Sequence, residues 1–320
     1  MTSRILLTIA FSFISYIICA QSVINETPMV LKTEVGELYG ILKVPQSKSK
    51  IPVAVIIAGS GPTDRDGNQP QMKSNSLKML SDGLYYKGIA TLCFDKRKSG
   101  KSKVGQKEED IRLEDFVKDV EGWIDLVSQD KRFSDIIIIG HSEGSLIGML
   151  AINNRKKIDR FISLAGSGKP KNEILKEQLS ERMKGQPQFA IDMIFSYIEK
   201  LERGERIPDV PQNLMALFRP SVQPYLISCF KYNPQAEIAK INIPVLITSG
   251  STDIQVTPEH TELLSKANPK AHKVIIENMN HILKECDKTD LQSQLATYTD
   301  PNKPIMEQIT NIISSFIKGN

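Results

Sequence analysis

The stretch Ile136-Ile137-Ile138-Ile139-Gly140-His141-Ser142-Glu143-Gly144 decides the fold. Four consecutive β-branched residues read as a strand covered on both faces. The five residues after them form a G-x-S-x-G pattern, and Leu146-Ile147-Gly148-Met149-Leu150 beyond it reads as a helix. Small residues around a Ser at a strand-to-helix junction permit a strained turn that lifts the Ser side chain above the sheet edge. The competing reading is a Gly-rich turn with an idle Ser.

The same alternation extends on both sides. Pro52–Ala58, Ile89–Phe94, Ile158–Ala165, Pro244–Thr248 and Lys273–Ile276 are short apolar runs of the buried-strand kind, and Glu37–Val44 alternates as a half-buried strand does. Between them, Leu77, Leu80, Leu84 and Tyr85 recur at helical spacing. So do Leu113, Phe116, Val117, Val120, Trp123, Ile124 and Val127, and Ile305 to Ile317 closes the chain as a helix. Strands alternating with helices predict an α/β fold with a mostly parallel central sheet and helices on both faces. Residues 168–235 break the rhythm: they are charged, helix-patterned and free of strand signals. They are expected to form a helical cap inserted into a core made of residues 21–167 and 236–320. Its apolar positions Met183, Ile194, Leu214, Leu217 and Phe218 either pack the cap or line a pocket below it.

Composition limits the function classes. The 320 residues are 40% hydrophobic and 24% charged with a net charge of +4, which excludes a disordered tail, a collagen and a disulfide-stapled miniprotein. The charges are interleaved, as in Lys107-Glu108-Glu109-Asp110-Ile111-Arg112, so no nucleic-acid partner is expected. Arg4 is followed by the apolar run Ile5–Ile18 and by Cys19-Ala20-Gln21. This reads as a signal peptide, residues 1–20, cut after Ala20, and predicts an exported protein, periplasmic or secreted. An uncleaved anchor and lipid attachment at Cys19 are the alternatives; the run is shorter than the roughly 20 residues of a membrane span. No later segment is apolar enough to span. Cys93, Cys229 and Cys286 allow at most one disulfide, and no cluster of Cys, His and carboxylates has metal-ligand spacing, so no metal is expected; no cofactor is expected either.

A Ser raised on such a turn needs a base. His141 lies within the turn, its side chain expected to point away. His260 falls in a helix expected over Pro258–Ala267, and His272 opens a strand at the opposite end of the sheet. His281, just after the last strand, is left at the edge that carries Ser142. Asp253 follows the strand ending at Thr248 and reaches the same edge, either as the carboxylate that orients His281 or as a turn residue; Glu259 and Glu277 are weaker rivals. The order Ser142, Asp253, His281 is nucleophile, acid, base. Ser142 would attack an acyl carbonyl, His281 would take and return its proton, and Asp253 would fix the imidazole tautomer. Donors for the resulting oxyanion are expected from the backbone N–H of Glu143 and from Ser60 or Gly61 in the Gly-rich loop after Ala58.

With these residues in place, the chain resembles the α/β-hydrolase superfamily over nearly its whole length. More closely, it resembles bacterial EstD-type carboxylesterases, grouped with serine-aminopeptidase-like (S33) hydrolases. The matches are Gly59-Ser-Gly-Pro-Thr-Asp-Arg-Asp-Gly-Asn68, Phe94-Asp-Lys-Arg-Lys-Ser-Gly-Lys-Ser102, Gly140–Gly144, Gly250-Ser-Thr-Asp-Ile-Gln-Val256 and, in the cap, Leu217-Phe-Arg-Pro-Ser-Val-Gln-Pro-Tyr225. The resemblance implies metal-free hydrolysis of a small-molecule carboxylic ester. Ala58-Gly59 stands where many relatives have His-Gly, a departure that touches the second oxyanion donor. Asp64, Arg65 and Asp66 either structure the loop by ion pairs or face the substrate. An aminopeptidase using Glu173, Glu177, Glu181 or Glu199 to bind a free amine is the alternative on the same scaffold. A catalytically idle binding protein of this fold is the alternative from another class.

Overall fold

The β-branched runs pair side by side. A computed structural model describes residues 23–153 and 157–319; the apolar N-terminal segment, its expected cut after Ala20, and Cys19 lie outside the described residues. The strands are β1 (Glu26–Thr33), β2 (Gly36–Lys43), β3 (Ile51–Ile57), β4 (Ala90–Phe94), β5 (Lys103–Val104), β6 (Phe133–His141), β7 (Arg160–Leu164), β8 (Val245–Gly250) and β9 (His272–Ile276). They form one sheet in the order β1-β2-β4-β3-β6-β7-β8-β9, with β5 beside β2. β1 and β2 are antiparallel to their neighbours, and from β4 to β9 every pairing is parallel.

Side chains alternate across this sheet and build two cores. Val53, Val55, Ile57, Ile136 and Ile138 face one way, toward α2 (Leu113–Ser128) and α3 (Glu143–Asn153). Ala54, Ile56, Ile137 and Ile139 face the other, toward α1 (Ser76–Tyr86) and the chain-closing helix Glu307–Lys318. The continuous apolar runs therefore carry information on both faces. Trp123, fully buried in α2, stacks on Phe94 at 5.6 Å and closes the first core.

β1 was not expected. Its Pro28 and its partly exposed alternation suit an edge strand, whose hydrophobic signal is weak. The stretch 168–235 carries no strand. It holds α4 (Lys171–Arg182), α5 (Gln188–Glu202), α6 (Met215–Phe218), α7 (Gln223–Phe230) and the start of α8 (Pro234–Ile238). The remaining helices are α9 (Pro258–Ala267), α10 (Leu291–Tyr298) and α11, the closing helix named above. Leu175, Ile194, Ile198, Leu201, Leu214 and Phe218 form a separate apolar cluster within the insertion. The Leu217–Tyr225 motif ties it together. Buried Gln223 accepts from the Ile207 N–H and donates to the Ile207 and Phe218 carbonyls, while Arg219 and Ser221 grip Glu108 of the core. Cys93, Cys229 and Cys286 are buried free thiols.

Trp123→Ala should destabilise the protein by about 3–5 kcal/mol, because a large cavity opens between α2 and the sheet. Urea unfolding measures it; a loss under about 1 kcal/mol would remove Trp123 from the core's main supports.

Candidate active site

β6 ends at His141 and α3 begins at Glu143, so Ser142 makes the turn between them, with φ 56°. A left-handed backbone is costly for a residue with a Cβ and persists only where the surroundings over-determine it. Here the Ser142 N–H donates to the Leu164 carbonyl at 2.9 Å, and the Ser142 carbonyl accepts from the Ser145 N–H at 2.9 Å. Gly144 permits the close approach: a Cβ there would stand 2.4 Å from the Ile57 carbonyl oxygen.

β8 and β9 are parallel neighbours, so the loops after them leave the sheet at one edge. Asp253 lies in the first loop and His281 in the second. His281 Nδ1 is 2.7 Å from Asp253 Oδ2, and both residues are buried. The other carboxylate oxygen, Oδ1, accepts from the N–H groups of Gln255 at 2.8 Å and Val256 at 2.9 Å. Asp253 is thus both a turn residue and the partner of His281. With Nδ1 engaged, Nε2 has no protein hydrogen-bond partner among the described residues. Ser142 and His281 line the same cavity of about 560 Å³. No hydrogen bond joins the two side chains; such contacts often tighten only when substrate binds.

The other histidines have different work. His141 does not point away as expected. Its Nε2 donates to the His281 carbonyl at 2.8 Å and its ring lies 5.0 Å from the His281 ring, so it buttresses the loop that carries His281. Burial, with neighbouring His281 second, pushes His141 down to about 4 and keeps it neutral. His260 Nδ1 accepts from the Gly168 N–H at 3.1 Å, and His272 packs edge-on against Phe316. Glu259 pairs with Lys169 at 3.0 Å, and Glu277 is exposed on the turn after β9.

Ser60, Gly61 and Glu143 also line the cavity. Among the described residues none of their backbone N–H groups donates to a protein acceptor. The Ser60 carbonyl is held by Thr63 Oγ1 and by Gln69 Nε2, each at 2.9 Å. Asp64, Arg65 and Asp66 build the rest of this loop. Asp64 Oδ1 accepts from the N–H groups of Asp66 and Asn68, and the Arg65 guanidinium pairs with fully buried Asp95.

Two lysines complete the site, and sequence reasoning passed over both. The Glu143 side chain is buried between Lys96 Nζ, 3.4 Å from Oε2, and Lys171 Nζ, 3.6 Å from Oε1. Burial alone would push the Glu143 carboxyl up; the ammonium groups of Lys171 and Lys96 reverse this and bring it down to about 2. Burial pushes Lys96 down, with Glu143 opposing. Lys96 stands inside a quoted motif, but nothing in that motif says which loop it will touch. Lys171 carries no sequence signal at all. Among the described residues no three His, Cys, Asp or Glu side chains gather closely enough to hold a metal ion.

Comparison with known proteins agrees with the architecture. Residues 71–287 match the family described as Serine aminopeptidase, S33. The chain is 25% identical over 252 residues to Esterase EstD of Thermotoga maritima, covering 78% of this chain and 58% of that relative's length. Among solved structures it is similar to the α/β hydrolase GrgF from Penicillium sp. sh18, with a TM-score of 0.61 and 15% identity over 92% of this chain and 98% of the other. It is also similar to Est1E from Butyrivibrio proteoclasticus, solved with ferulic acid bound, with a TM-score of 0.59 and 20% identity over 91% and 99%. These structural likenesses establish the α/β-hydrolase fold.

The depressed His141 has a pH consequence. The unfolded imidazole titrates near 6.5 and the folded one near 4, so between these values only the unfolded chain takes the proton. Its contribution is present above about pH 6.5 and is lost as pH falls toward about 4, by about 3 kcal/mol in total. His141→Gln removes that titration. The stability difference between wild type and this variant should therefore shrink by about 3 kcal/mol from about pH 7 to about pH 4 in urea unfolding. A difference that does not change with pH would show that His141 is not a neutral buried imidazole.

Proposed function

The chain belongs to the hydrolase family described as Serine aminopeptidase, S33, and from that premise we propose that it is a serine hydrolase cleaving carboxylic esters through an acyl-enzyme. The observation that carries this reading is the buried 2.7 Å contact between His281 and Asp253, at the edge of the cavity that holds Ser142 on its strained turn. The relative named Esterase EstD adds support, although the chain spans 58% of its length.

In this mechanism Ser142 Oγ adds to the ester carbonyl carbon while His281 Nε2 takes its proton. Asp253 holds the Nδ1–H and stabilises the imidazolium that forms. The carbonyl oxygen, now an anion, receives the N–H of Glu143 and that of Ser60 or Gly61. His281 then returns the proton to the departing alcohol, and a water molecule hydrolyses the acyl-enzyme by the same route. Ser142→Ala should fold normally and lower ester turnover by roughly 10⁴-fold or more. A variant that keeps a tenth of wild-type turnover would remove Ser142 from the role.

The charge around the cavity favours an ester over a peptide with a free amino terminus. An aminopeptidase needs an anionic group to receive the substrate's ammonium. Glu173, Glu177, Glu181 and Glu199 are all exposed and none lines the cavity. The insertion contributes Lys169 and Lys171 there instead, and cations repel an amine.

Of the five apolar cap positions weighed from sequence, Ile194, Leu214 and Phe218 are buried in the cluster of the insertion and Met183 packs against it. Leu217 lines the cavity, as does Ile174 of α4. Leu217→Ala and Ile174→Ala should shift preference toward longer acyl chains, with one methylene worth about 1–3 kcal/mol of discrimination. Assay on esters of graded chain length tests this. An unchanged profile in both folded variants would place the acyl pocket elsewhere.

A further inference from the structure

The charge network beside Ser142 has no part in the proton transfers above, yet every member touches the oxyanion machinery. Lys96 Nζ donates to the Gly59 carbonyl at 2.8 Å as well as facing Glu143. Lys171 Nζ donates to Ser60 Oγ at 3.1 Å and faces Glu143 Oε1 at 3.6 Å. The three charged residues come from three separate pieces of chain. Lys96 follows β4, Glu143 opens α3, and Lys171 is the first residue of α4 in the insertion.

These contacts fix two donors together. In a trans peptide the carbonyl and the N–H point in opposite directions. Anchoring the Gly59 carbonyl on Lys96 therefore sets the direction of the Ser60 N–H. Anchoring the Ser60 carbonyl on Thr63 and Gln69 does the same for Gly61. Glu143 supplies the other donor from its backbone, and its side chain is gripped by the same two lysines. Taking three charges out of water is expensive, and such networks are weak evidence of stabilisation. The Glu143–Lys171 arm is also looser than a hydrogen bond, at 3.6 Å. Two arms come from the insertion: Lys171 of α4, and Tyr225 of α7, whose hydroxyl faces the Glu143 carboxylate; of these, Lys171 also reaches Ser60.

Resting on the esterase reading, we propose that Lys171 is a positioning residue: by clasping Ser60 and Glu143 it makes the spacing of the two oxyanion donors depend on the seating of α4. The insertion thereby acts on the chemical step as well as on substrate fit.

The test compares Lys171→Met and Lys171→Arg with wild type on a neutral ester, p-nitrophenyl butyrate, and on an alkyl trifluoromethyl ketone. In the ketone adduct Ser142 Oγ adds to the carbonyl carbon, the carbonyl electron pair becomes the oxyanion and the hydroxyl proton passes to His281, so its affinity reads the donors directly. The Met variant should lose about 10- to 100-fold in kcat with KM within about twofold, less than complete loss of one donor. Ketone affinity should fall by the same factor as kcat/KM, and the Arg variant should recover most of both. Ser60→Ala, a small change that removes the loop end of the clasp, should lower kcat in the same way. Combined with Lys171→Met it should add little, because both break one contact. Met-variant turnover within about twofold of wild type, or a loss that ketone affinity does not follow, would overturn the proposal and leave Lys171 a structural counter-charge. A KM effect confined to esters bearing a carboxylate would overturn it in favour of substrate binding. Wild-type protein that neither hydrolyses the ester nor forms the Ser142 adduct would instead overturn the esterase reading, and the proposal with it.

Discussion

One residue held in the wrong half of backbone space organises this molecule. Ser142 at φ 56° costs on the order of 1–3 kcal/mol, and that cost is met only because packing leaves no alternative. The strand before it is locked in the centre of the sheet, between β3 and β7. Its N–H is taken by Leu164 of β7. Gly144 lets α3 close against the end of β3, and Gly59 lets the next loop cross Ser142 with no room for a side chain, since a Cβ there would stand 3.0 Å from the Ser142 Cβ. The apolar runs of β3, β6 and β7 are thus the foundation of the site as much as of the core.

Environment divides the four histidines more sharply than sequence position does. His281 and His141 sit with their rings 5.0 Å apart, yet only His281 has a carboxylate on its ring. His141 meets a backbone carbonyl and a dry interior, which hold it neutral. A neutral His141 would serve the proposed mechanism: a second imidazolium at that distance would oppose one formed on His281. In the proposed mechanism the two residues are a proton carrier and its uncharged support.

The legible part of the structure was the local part. Runs such as Ile136–Ile139 declare strands because both their faces are buried, and the Ser142, Asp253, His281 order follows from loops at one sheet edge. β1 was invisible because an edge strand buries little. In α10, Leu291 and Leu295 are exposed, so its apolar residues do not mark a core face. The orientation of His141 depends on the carbonyl of a residue 140 positions away. Lys96, Glu143 and Lys171 were unreadable as a group for the same reason: each is an ordinary charged residue until the fold brings three distant segments together.

That grouping also resolves an electrostatic conflict in the turn itself. In the proposed mechanism the residue after Ser142 offers its N–H to an oxyanion, yet here it is a glutamate, ionised and with its side chain buried beside the place where negative charge would develop. Alone, that carboxylate would oppose the oxyanion and also favour a proton on any nearby base. Two ammonium groups within 3.6 Å invert the sign. In that mechanism a preorganised cation beside a developing oxyanion is the kind of interaction that lowers a barrier in a dry site. Glu143 then has a use a neutral residue would lack. It faces both lysines, one reaching the Gly59 carbonyl after β3 and the other reaching Ser60 from the insertion, so that in the proposed mechanism the field and the placing of the donors share these three side chains.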